Sequence, residues 1–141
     1  MILITGATGN NGTELIKQLS ARGVPLRAFV RNRAGERTVA LPEVELVEGD
    51  VAKPDTFKHA LEGVERLFPL IPSSSDVLQQ RNFVDAAKRS GVKHRKHSQF
   101  AADEHASVRF QRYHASVEHY IRDSGVAFTF LRPQSICARV F

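Results

Sequence analysis

The chain has 141 residues, 42% hydrophobic and 25% charged, which fits one globular domain and excludes a disordered or fibrous chain. Its only cysteine, Cys137, excludes an intramolecular disulfide framework, and no window holds the ~20 apolar residues needed to cross a bilayer. A formal net charge of +5 favours anionic partners without choosing among a dinucleotide, a nucleic acid and a membrane surface.

In chain order, ILIT at 2–5 reads as a short buried strand. It breaks into GATGNNG, then into TELIKQLSARG, where Leu15, Ile16 and Leu19 share a helical face and Gly23 supplies the stop. PLRAFVR carries a second strand over 26–30, followed by a polar turn at 32–38. VELVEG at 44–49 is a third strand, reached without a helix long enough to bury a face. A short helix over 55–61 follows Pro54 and ends at Gly63, and VERLFPLI carries a fourth strand through Leu67 and Phe68, extending at most to Ile71.

Helical spacing over 76–90 links Val77, Leu78, Phe83, Val84 and Ala87 ahead of Gly91. A second pattern over 107–124 links Phe110, Tyr113, Val117, Tyr120 and Ile121, and VAFTFLRP is a sixth strand. KHRKHSQF at 93–100 takes the place of the fifth, with Arg95 and Lys96 where apolar residues belong. A strand buried on both faces tolerates them only if their stems reach an edge and their heads reach water. Helices alternating with apolar strands predict an α/β, Rossmann-like three-layer sandwich whose mostly parallel sheet has the order 3-2-1-4-5-6, with ligand loops at the strand C-termini.

Gly6, Gly9 and Gly12 form GxxGxxG directly after a predicted strand and before a predicted helix. The first glycine permits a tight turn, the second close approach of a pyrophosphate, the third helix-to-strand contact, and the helix N-terminus offers N–H groups to the diphosphate. Thr8, Asn10 and Asn11 bond to phosphate or loop backbone, or cap the helix. Arg31 follows the second strand where an NAD-selective site places a carboxylate, so it, with Arg33, either suits a 2'-phosphate and favours NADP(H) over NAD(H), or merely solvates a turn. Asp50 either accepts from the adenine amino group or caps the turn after it. Leu70, Ile71 and Pro72 form an apolar wall beside the sugar and nicotinamide, or serve only core and turn. The six histidines include His94 and His97, which lack a third ligand at a usual spacing, so no metal site is expected.

The order and spacing of ITGATGNNG, FVRN, VEGDVAKPDTFKHALEGVERLFPL, QQRNFVDAAKRSGVKH and RYHASVEHYIRDSGVAFTFLRP resemble the NmrA-like, atypical short-chain dehydrogenase/reductases, which include NADPH-dependent quinone reductases and redox-sensing regulators. The resemblance implies an NADP-binding Rossmann-like domain over 1–141. Gly6, Gly9, Asn10 and Gly12 match the phosphate loop, Arg31 the phosphate-reading arginine, and Asp50 with Val51 the adenine contact. It also implies an incomplete C-terminus, because family members continue beyond LRP into further sheet elements and a substrate-facing lobe. The stretch SICARVF departs from the apolar segment expected there.

Tyr113 is followed four residues later by Val117 rather than by the lysine of a typical short-chain dehydrogenase. His114 and Glu118 resemble the family's HxxxE, and either assist carbonyl reduction or form a surface i,i+4 pair. Ser98 either donates to a substrate oxygen or caps a turn. Three readings follow: an NADP(H)-binding protein derived from a reductase of quinones or small carbonyls; an NAD(P)-sensing regulator acting through a protein partner; or a marginally folded remnant without activity, expected to dimerise or aggregate through exposed apolar surface. The basic run KRSGVKHRKH lacks the interleaved aromatics or recognition helix that nucleic-acid binding requires. A cytoplasmic setting is expected from the single cysteine and the lack of a basic leader.

Overall fold

A computed structural model describes residues 1–71, 77–98, 105, 107 and 109–131. Six strands, β1 (Ile2–Ile4), β2 (Leu26–Val30), β3 (Val44–Glu48), β4 (Arg66–Phe68), β5 (His94–Ser98) and β6 (Ala127–Leu131), form one sheet in the order β3-β2-β1-β4-β5-β6. Every pairing is parallel, with Ile4 opposite both Ala28 and Phe68. Parallel pairing puts every loop that leaves a strand's C-terminal end on one edge of the sheet.

The helices are α1 (Asn10–Ser20), α2 (Phe57–Leu61), α3 (Val77–Arg89) and α4 (Arg109–Asp123). α1 lays Ile16 on the sheet face formed by Ile4, Leu26, Ala28 and Val30. On the opposite face, Phe57 and Leu61 of α2 and Phe83 of α3 pack on Leu3, Phe29, Val47 and Leu67. α4 joins this second layer through Val117 and Ile121, which cluster with Val84 of α3 and Phe130 of β6. The alternation expected of a strand covered on both faces accounts for Leu3 and Ile4 turning to different clusters.

Only two 3-10 turns, Arg33–Gly35 and Arg37–Val39, occupy the β2-to-β3 connection, which fits its polar sequence. Gly23, Gly63 and Gly91 take positive φ where elements stop, the conformation that costs glycine least. Leu78 departs from its expected place on the apolar face of α3: it is exposed, and Gln80 is buried instead.

β5 forms where the fifth strand was expected, and its two cations part company. Lys96 is exposed, as a cation on an open face should be. Arg95 is 1% exposed, opposite Leu67 and Phe128 in the register, and its Nε and both Nη atoms have no hydrogen-bond partner. The expectation that its head reaches water is not met. On the α1 side of the sheet, Lys96, Ala127, Thr129 and Leu131 remain exposed at β5 and β6.

Candidate functional site

β1 gives way to the glycine loop at Thr5, whose N–H donates to the Phe68 carbonyl at 3.2 Å. The chain then turns sharply: Gly6 has φ +60°, and the Gly9 N–H donates back to the Gly6 carbonyl at 3.1 Å. A Cβ on Gly6 would overlap the Leu70 carbonyl oxygen, and one on Gly12 would overlap the Gly6 carbonyl oxygen; on Gly9 it would sit 3.3 Å from that same oxygen. The first and third glycines are thus fixed by backbone packing. The second, which faces outward, is the one left for a ligand to approach.

Gly9 is the N-cap of α1 and no side chain caps the helix, so the capping alternative for Thr8, Asn10 and Asn11 is not what they do. All three are exposed at the rim of the loop. The first turn of α1 holds no acidic residue, and its N–H groups lack intrahelical acceptors, as in any first turn. Those groups and the helix dipole suit an anion. Thr13, which the sequence did not single out, donates its Oγ1 to the Ala7 carbonyl at 3.2 Å and ties helix to loop.

The neighbouring strand ends supply the other candidates. Arg31 and Arg33 are exposed in the turn after β2. After β3, a Cβ on Gly49 would overlap the Phe29 ring, so glycine lets the chain pass that ring closely. Asp50 then accepts the Ala52 N–H on Oδ1 at 2.9 Å, which is the turn-capping role allowed for it. Its own N–H donates to Thr56 Oγ1 at 3.2 Å, while that hydroxyl lies 2.7 Å from the Lys53 carbonyl. Thr56 is a second residue missed in the sequence; its signal is its place at the end of KPDT, where a short helix begins. Val51 and Ile71 pack on the core cluster around Phe29 and Phe57, and Leu70 lies against Gly6. Pro72 lies outside the described residues.

Gly6, Gly9, Gly12, Arg31, Asp50, Val51, Leu70 and Ile71 therefore gather along one edge of the sheet, beyond β1, β2, β3 and β4. Ser98 ends β5 at the same edge, and its side chain lies outside the described part. Glycines placed where a Cβ would strike backbone, an uncapped helix terminus and exposed arginines at the next strand end together fit a dinucleotide with a phosphorylated ribose.

His114 and Glu118 do not form the surface pair that was one of their two readings. They are 6% and 1% exposed, on the inward side of α4. Glu118 Oε2 accepts from Arg122 Nη2 at 2.9 Å, and the His114 ring stands edge-on to Tyr113 at 5.4 Å. Burial lowers the His114 pKa, and the Glu118 charge raises it in part. A hydrogen bond from Tyr120 to Asp85 at 2.8 Å and one from Gln80 to Tyr113 join α3 to α4 nearby. Among the described residues no group of three or more metal-ligating side chains occurs, and no helix is long and apolar enough to cross a membrane.

Known proteins share this fold. An NAD(P)H azoreductase of Xenophilus azovorans is 34% identical over 135 residues, covering 94% of this chain and 47% of the relative. The NADPH-dependent quinone oxidoreductase of Escherichia coli, solved with NADPH, superposes with a TM-score of 0.82 at 31% identity, over 94% of this chain and 48% of that one. The Citrobacter sp. triphenylmethane reductase, solved with NADP(H), gives 0.80 at 33% identity, over 94% and 49%. The chain thus spans about half the length of these relatives. The match to the NmrA-like family runs from residue 1 to residue 139, through the glycine loop and all six strands, and the chain belongs to that family.

Proposed function

We propose that the chain is the dinucleotide-binding half of an NADP(H)-dependent reductase of quinones or related small carbonyls, with NADP(H) preferred to NAD(H). The observation that carries this reading is the glycine cradle: Gly6 and Gly12 packed against backbone, beside an α1 terminus that no side chain caps. The diphosphate would lie over Gly9, with Thr8, Asn10 and Asn11 at the rim, and Arg31 would fork onto the 2'-phosphate. Asp50 with Val51 borders the adenine, and Leu70 with Ile71 the sugar. Relatives named for reduction of azo compounds, quinones and triphenylmethanes support the acceptor class.

The dinucleotide, once bound, supplies the hydride, and the chain's part is to bind it, orient it and exclude side reactions. His114 and Glu118, buried and with Glu118 turned to Arg122, hold α4 in this reading rather than touch an acceptor. The test is isothermal titration with NADPH and NADH, repeated on Arg31→Ala. NADPH should bind more tightly, and R31A should lose about tenfold to a hundredfold of that affinity, the worth of a charge-assisted hydrogen bond, with NADH little changed. A chain that is folded by circular dichroism yet binds neither cofactor would overturn the reading.

A further inference from the structure

Two side chains shape the turn that carries Arg31 and Arg33. Asn32 Oδ1 accepts the Ala34 N–H at 2.9 Å and caps the 3-10 turn Arg33–Gly35. Glu48, the last residue of β3 and opposite Val30 in the register, reaches back across the strand ends, where its Oε2 accepts the Arg33 N–H at 3.4 Å. A bond from the Gly49 N–H to the Val30 carbonyl at 2.9 Å holds the two strand ends together there. Glu45, three residues earlier on β3, pairs with Arg27 at 2.9 Å, whereas the ion pairs among the described residues leave Glu48 out. An exposed carboxylate therefore stands against the same short loop as two exposed arginines.

We propose that Glu48 sets how strongly this site distinguishes NADPH from NADH, an inference that rests on the nucleotide reading above. A 2'-phosphate brought to Arg31 and Arg33 also meets the Glu48 carboxylate, a like charge, and finds the Arg33 N–H already taken. A free ribose hydroxyl meets no such repulsion, and it can donate to a carboxylate that a phosphate cannot use. The two arginines favour the phosphate and Glu48 works against them, so the chain binds NADPH preferentially but retains usable affinity for NADH. The turn itself does not require the charge, because a glutamine oxygen can accept the Arg33 N–H equally well.

That equivalence separates the charge from the hydrogen bond. In Glu48→Gln the ratio of the NADH to the NADPH dissociation constant, measured by isothermal titration at low salt, should rise about fivefold, the size of one unit-charge contact at ~4 Å in water. The rise should shrink as ionic strength goes up, since both groups are exposed. Glu48→Lys should raise the ratio further. A ratio that stays constant or falls in E48Q, in a wild-type background that binds NADPH, would overturn the assignment and leave Glu48 only as a support for the turn. Wild-type protein that binds neither cofactor would instead overturn the nucleotide reading, and this proposal with it.

Discussion

The Gly6 α-carbon and the Leu70 carbonyl are in contact: a Cβ at Gly6 would overlap that oxygen and lie 3.0 Å from the Leu70 Cβ. The loop after β1 is thus seated on the segment that leaves β4, its neighbour in the sheet. Gly6→Ala meets both this overlap and the positive φ, so it should destabilise the chain by about 1–3 kcal/mol and disturb the phosphate cradle. Gly12→Ala has no φ conflict, yet it should weaken binding because its Cβ pushes into the Gly6 carbonyl. Urea denaturation of each variant checks the first effect and NADPH titration the second. An unshifted midpoint in G6A would show that the loop relaxes away from Leu70.

Five of the six strands were legible as apolar runs broken by turn residues, with β2 at the expected 26–30; the fifth, HRKHS, was placed only by its position in the alternation of helices and strands that also gave the order. The glycine loop was legible because its spacing sits between a strand pattern and a helix pattern. What brings Gly6 to Leu70, or Thr56 to Asp50, was not: such contacts depend on how a connection returns, which local periodicity does not encode. Nor did the sequence reveal that Arg95 and Lys96, adjacent and alike, meet opposite environments. Strand alternation separates them, but only the packed layers decide which face is closed. His114 and Glu118 share a helical side by spacing alone, and their burial follows from the docking of α4 on α3.

Arg95 should be a net cost to the fold. Its guanidinium is buried with all three nitrogens unpartnered, and burial lowers its pKa to about 9. Arg95→Met keeps the apolar stem and removes the charge, and should raise stability at neutral pH by about 1–4 kcal/mol, the range found when buried ion pairs are replaced by apolar groups. The folded pKa lies below the unfolded one, so from about pH 9 upward the unfolded chain binds more protons and the wild type gains stability with pH. Below about pH 9 the penalty is fully present. Denaturation of both proteins across this range should show the advantage of R95M narrowing as pH rises; a constant advantage would place the cost in packing rather than charge.

Thr56 organises the turn that holds Asp50. Its hydroxyl accepts the Asp50 N–H at 3.2 Å and lies within hydrogen-bond distance of the Asp50 and Lys53 carbonyls. Thr56→Val keeps the shape and removes these bonds, which should cost about 1 kcal/mol and leave the Asp50 N–H without its acceptor. Hydrogen exchange at the Asp50 amide should quicken in T56V and stay near the wild-type rate in T56S. Unchanged exchange in T56V would mean that the close passage of Gly49 over Phe29 fixes the turn without Thr56.

The Glu118 charge should be visible in the titration of His114. Burial pushes the His114 pKa below its ordinary value, and Glu118 offsets part of that shift. Because the folded pKa is the lower, the unfolded chain binds more protons as pH falls from the ordinary histidine value to the folded pKa, and stability is lost over that window. Glu118→Gln removes the charge and keeps an oxygen for Arg122, so His114 should titrate at still lower pH and the loss in acid should extend further. At neutral pH, where the imidazole is uncharged, the bond from Arg122 to the neutral amide oxygen should be weaker by about 1 kcal/mol. An NMR titration of the His114 ring in both proteins decides it: a ring that titrates at the same or higher pH in E118Q would mean that the carboxylate does not act on His114.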